Sequence, residues 1–175
     1  AQGSAVVQPT PPGNSKPKVT QPGSLAAHAA KISMKVFWAA RVTRLDVLRA
    51  IGHLACHLTR WDLDCDRRLH RLMCYLNATR EHRLVGWVGC SSDQASLHLY
   101  TDADFGGCQR TSKSTSGVFL SIEGPNTFFP IAAISKRQTS VSHSTPEAEI
   151  AAGAHTMRHA GLPGQIFCDT IVHQC

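Results

Sequence analysis

Two short acidic motifs hold the residues best suited to chemistry. Asp102 lies in Tyr100-Thr-Asp-Ala-Asp-Phe-Gly-Gly107, where a strand-like alternation ends, and Glu149 closes Ser144-Thr-Pro-Glu-Ala-Glu149, where a helical pattern begins. A carboxylate at a strand end and another on a helix, with a hairpin's length of chain between them, supply hard oxygen donors of the kind that hold a divalent metal ion. Asp104 and Glu147 sit two residues from this pair and are weaker ligands. Asp104 falls beyond the expected strand end, and Glu147 lies nearly opposite Glu149 on the helical wheel.

The elements that must bring Asp102 and Glu149 together are legible as patterns. Residues 97–102, 118–122 and 128–134 read as strands of a meander, with Glu123-Gly-Pro-Asn126 turning between the last two. From Pro146 a helix is expected through Ile150, Ala151, Ala154 and Met157, capped by Ser144 or Thr145 and broken by Gly161-Leu-Pro-Gly164. Residues 165–175 hold a short apolar stretch whose type stays open. Upstream, Val47, Leu48, Ile51, Leu54, Ala55 and Leu58 recur on one helical face. Leu69, Leu72, Met73 and Leu76 mark a second helix, from which Arg67, Arg68 and Arg71 point elsewhere; a solvated face and phosphate contact are both open readings of these arginines.

Residues 1–24 are rich in Pro, Gly, Ser, Gln and Thr and are expected to form a disordered tether, because they offer too little apolar surface to offset the entropy of ordering. The expected organisation is that tether, a helical segment at 25–92 and a strand-containing domain at 93–175. The formal charge of +6 favours an anionic partner such as RNA or DNA, although many proteins with such a charge never meet nucleic acid. Seven cysteines without paired spacing argue against a disulfide framework and for reduced thiols in an intracellular compartment. No apolar run is long enough to predict a membrane span. The acid-poor amino-terminal segment is compatible with organelle import, and equally with a linker.

Taken in order, the Asp102 motif, Lys113-Ser-Thr-Ser-Gly117, Ile134-Ser-Lys-Arg-Gln138 and the Glu149 motif resemble the ribonuclease H domain of copia-type retrotransposon Pol polyproteins. Ala39-Ala-Arg-Val-Thr-Arg-Leu-Asp46 and Arg71-Leu-Met-Cys-Tyr-Leu-Asn-Ala-Thr79 resemble the segment that joins reverse transcriptase to it. The resemblance implies a mixed α/β, ribonuclease H-like fold, here with a truncated sheet and an N-terminal helical segment. It implies two Mg²⁺ or Mn²⁺ ions and hydrolysis of the RNA strand of an RNA–DNA hybrid. Asp102 and Glu149 match two of the family's catalytic, metal-binding carboxylates.

The family's site needs two further aspartates. Asp169, only twenty residues beyond Glu149, is a poor match to the third, so half the carboxylate set is missing and the chain is expected to cleave weakly or not at all. Lys113, Lys136 and Arg137 are candidate phosphate contacts, with ordinary surface positions the competing reading. The alternative function is a noncatalytic interaction subunit derived from a retroelement, its exposed sheet edge and apolar surface covered by protein neighbours in a larger assembly.

Overall fold

A computed structural model describes residues 21–108 and 110–172. Helix α1 (Ala26–Val42), α2 (Leu48–Ala55) and α3 (Leu63–Ala78) come first, followed by strands β1 (Trp87–Val88), β2 (Ser96–Asp104), β3 (Thr115–Gly124) and β4 (Thr127–Arg137). Helix α4 (Thr145–Thr156) and α5 (Leu162–Val172) close the order. The result mixes helices with one antiparallel sheet of order β1-β4-β3-β2, consistent with the expected α/β class.

The helical segment forms because its apolar residues fall on facing stripes. Leu48, Ile51 and Leu54 of α2 meet Leu69 and Leu72 of α3 in one core, which Trp61 and Ala133 of β4 also join. Met73, expected on the buried face of α3, is instead exposed. Asp62 caps α3 by accepting from the Cys65 N–H at 2.9 Å. Asp66 accepts from Trp61 Nε1 at 2.6 Å and from Ser24 N at 2.6 Å, which fastens the chain before α1 to the start of α3. Residues 21–24, expected to belong to the tether, are therefore anchored, while residues 1–20 of that expectation lie outside the described residues. The sheet also begins earlier than the expected boundary at 92/93, since Trp87 and Val88 pair with Phe128 and Thr127.

Strand alternation divides the sheet into two faces. Leu97, Leu99, Thr101 and Ala103 of β2 look toward α4 and α5, with Val118, Leu120 and Ala160 in a second core. Tyr100, Asp102 and Asp104 belong to the opposite face, where α2 approaches β4 at Ser135.

Two corrections concern the C-terminal helices. The expected apolar face of α4 is outside: Ile150 is 73% exposed, whereas Ala148, Ala152, Thr156 and Ala160 are buried at one-turn spacing. This small-residue seam lets the helix lie close to the sheet, which outweighs burial of the larger residues. Gly161-Leu-Pro-Gly164 does not end the helix either. One π turn over Met157–Gly161, with the Leu162 N–H bonded to Met157 O, carries the chain past Pro163, whose missing N–H would otherwise interrupt the ladder. The two glycines serve close approach: a Cβ on Gly161 would stand 2.9 Å from Leu99 Cδ2, and one on Gly164 3.0 Å from Leu120 Cδ2. Residues 165–172, left open from sequence, belong to α5.

Candidate functional site

Glu149 reaches the sheet at its outer strand. Its Oε1 accepts a hydrogen bond from the Ala103 N–H at 3.3 Å. That N–H points away from β3, because backbone groups alternate between the paired and the free side of an edge strand and β2 is outermost in the sheet order. Ala103 N is bonded to the carbonyl carbon of Asp102, so standard backbone dimensions put the Glu149 oxygen within about 6 Å of Asp102 Cα. The Glu149 oxygen thus reaches the free edge of β2 beside the Asp102 backbone, while the Asp102 side chain belongs to the sheet face opposite the helix that carries Glu149.

Several contacts set this geometry. Ala103 packs on Ala148 and Ala152, and the Thr101 hydroxyl bonds that of Thr156 at 2.9 Å, which fixes α4 along β2. Gln138 ties the helix to the sheet, its Nε2 donating to Ala148 O at 2.9 Å and to Ser116 Oγ at 3.1 Å. Ser144 caps α4 through the Glu147 N–H at 3.3 Å, and Glu147 in turn accepts from the His143 N–H at 2.7 Å. This reciprocal arrangement is close to a capping box, whose signature was present in Ser144-Thr-Pro-Glu147.

The neighbouring carboxylates have structural partners. Asp104 pairs with Arg49 and accepts from the Thr115 N–H at 2.7 Å, closing the β2–β3 connection. Glu147 belongs to the cap. Asp102 is exposed and has no hydrogen-bond or ion-pair partner among the described residues. Opposite it in register, Gly117 leaves ordinary van der Waals space beside the Asp102 backbone.

The remaining expected site residues disperse. Asp169 lies exposed on α5 rather than on a strand. Gly164, earlier in α5, already sits over Leu97, at the far end of β2 from Asp102. Lys113 donates to Thr139 O, and Arg137 points Nη1 at Cys108 Sγ, 3.9 Å away. Lys136 pairs with Ser116 on the α4 face, whereas Arg137 pairs with Thr115 on the opposite face, so these cations form no single cluster. Among the described residues no group of three or more His, Cys, Asp and Glu side chains gathers where it could hold a metal ion. Sequence reasoning missed Arg49 and passed over Gln138 within its motif, because both act through partners distant in the chain.

The chain is 32% identical over 143 residues to the retrovirus-related Pol polyprotein from transposon RE2 of Arabidopsis thaliana. The similarity supports a retrotransposon Pol origin. It takes in 74% of this chain and 9% of that protein, so the chain spans a small part of its relative's length. No family model matches the chain, and no solved structure does. No helix among the described residues is long and apolar enough to cross a membrane.

Proposed function

We propose that this chain is the ribonuclease H-like module of a copia-type retrotransposon Pol polyprotein, with Asp102 and Glu149 as its remaining catalytic carboxylates and an RNA–DNA hybrid as substrate. The supporting observation is the Glu149 oxygen on the Ala103 N–H, next to an Asp102 that has no structural partner, while Asp104 and Glu147 are both engaged. The donor chemistry fits Mg²⁺ or Mn²⁺: both ligands offer hard oxygens, and magnesium commonly takes one or two carboxylates together with water and substrate phosphate. Such an ion supplies water activation and charge neutralisation at the phosphate. Glu149 is oriented by the Ala103 N–H, and Asp102 is exposed on the adjacent residue of the edge strand.

Two carboxylates are too few to fix a pair of ions, so the chain alone is weakly active or inactive. A noncatalytic role beside protein neighbours is favoured by a different observation. Ile150, Met157, Leu162, Ile166 and Phe167 are all exposed, and β2 is an outer strand. Incubating the purified chain with a labelled hybrid in Mg²⁺ or Mn²⁺ distinguishes these possibilities. Slow cleavage lost in both Asp102→Asn and Glu149→Gln is the expected result. Cleavage that survives Asp102→Asn contradicts the site, and rapid cleavage by the isolated chain contradicts its incompleteness.

A further inference from the structure

The helical segment carries a cationic groove that the carboxylate site does not use. It lies between α2 and α3, has a volume of about 830 Å³, and is walled by Arg49 and His53 on one side and Arg67 and Arg71 on the other. Its two carboxylates are already neutralised. Asp46 is held by Arg44 at 2.8 Å and by the Tyr75 hydroxyl at 3.0 Å, and Asp64 by Arg68 at 2.6 Å. Arg67 and Arg71 are exposed and have no ion-pair or hydrogen-bond partner among the described residues.

Four residues apart on α3, the two guanidinium stems share one face and are displaced by about 6 Å along the helix axis. That displacement is of the order that separates successive phosphates along a polynucleotide strand. Arg49, paired with Asp104, faces them across the groove. Burial first, then the positive charges of His57, Arg68, Arg49 and Arg137, hold the His53 imidazole below its usual pKa. Arg49 and His53 also line a second cleft, of about 350 Å³, together with Ser135 and Arg137. Ser135 stands across β3 from Asp102, so this second cleft opens on the sheet face to which Asp102 belongs.

We infer that the α2–α3 groove is a binding track for the phosphodiester backbone of a nucleic acid, with Arg67 and Arg71 as its phosphate contacts. Guanidinium forks without carboxylate partners suit phosphate oxygens, and their repeat along one wall suits a regularly spaced polyanion better than the irregular charges of an acidic protein. The track shares its partner class with the function proposed above but requires none of its chemistry.

The test uses the full chain, a fluorescein-labelled RNA–DNA hybrid, EDTA to exclude cleavage, and anisotropy titrations at several salt concentrations. Arg67→Ala/Arg71→Ala is expected to weaken binding roughly tenfold or more near 0.1 M salt and to reduce the salt slope by about 1.4–1.8, the loss of two phosphate contacts. Lys31→Ala/Lys35→Ala removes the same charge at the same spacing from the exposed side of α1 and is expected to change little. Equal losses in the two double variants, or an unchanged slope in the arginine variant, overturn the proposal. Polyaspartate that displaces the hybrid as well as an unlabelled nucleic acid of equal charge overturns it in favour of an acidic protein. Because binding is read without metal, failure of cleavage and failure of the groove are separate results.

Discussion

Rotation of α4 about its axis decides whether Glu149 reaches the sheet edge, and paired substitutions on the helix test that rotation. Ala152 is 0% exposed and packs against Ala103, whereas Ile150 is 73% exposed. Ala152→Leu adds an isopropyl group to a closed seam and should cost about 1–3 kcal/mol by overpacking. Ile150→Ser should stay within about 0.5 kcal/mol, because little burial is lost and the two residues have similar helix propensity. For a chain of this size, 2 kcal/mol corresponds to a fall in Tm of about 4–8 °C. Urea and thermal unfolding followed by circular dichroism provide the values. Were α4 seated on Ile150, Ala154 and Met157, as hydrophobic periodicity alone indicates, Ile150→Ser would cost about 1.5–3 kcal/mol and Ala152→Leu almost nothing. That reversed order would refute the packing from which the position of Glu149 follows.

Two further outcomes concern pH. The Thr111 side chain, then the Thr111 and Arg110 backbone and the Arg137 guanidinium, against the opposing effect of burial, lower the pKa of the Cys108 thiol to about 7, while burial raises that of Cys65. Alkylation of Cys108 should therefore rise with pH around a midpoint near 7, and Cys65 should stay unreactive in the folded chain; mass spectrometry of trapped peptides reads both, and a Cys108 midpoint above 8 contradicts the geometry. Asp46 is held below its ordinary value first by the hydrogen bond from Arg44, and Asp62 first by the Cys65 N–H. Folded values below the unfolded ones mean stability that is fully present above the ordinary carboxylate range and lost as pH falls through the lowered values. Fluorescence of buried Trp61 should accordingly report a steep weakening of the helical segment below about pH 4, beneath a shallower loss that begins near pH 6.5, where His53, held neutral in the folded chain, protonates on unfolding; no added loss below about pH 4 would argue against these contacts.

What was legible in the sequence followed local rules. The meander appeared with its turn at Pro125 and Asn126, and the three strands proved longer than their alternating cores. The α2 and α3 stripes largely hold because each buries branched aliphatic residues at helical spacing. Local rules misled where packing used small residues. Alanines give no strong periodic signal beside Ile150 and Met157, and Gly161 and Gly164 look like helix terminators until the leucines above them are placed. Asp102 and Glu149 could be named from their motifs, but their approach depends on Ala103 being an edge residue, which requires the strand order. The Arg49–Asp104 pair joins residues 55 apart in the chain, and no spacing rule finds it.

The central claim, that Asp102 and Glu149 act together on a metal ion, is tested most directly by titrating Mn²⁺ into the ¹⁵N-labelled chain and following paramagnetic broadening of its amide signals. The account predicts that Asp102, Ala103, Gly117 and Glu149 broaden first, that Asp169 is spared, and that Asp102→Asn abolishes the effect. Broadening centred elsewhere, or unchanged in Asp102→Asn, would contradict it.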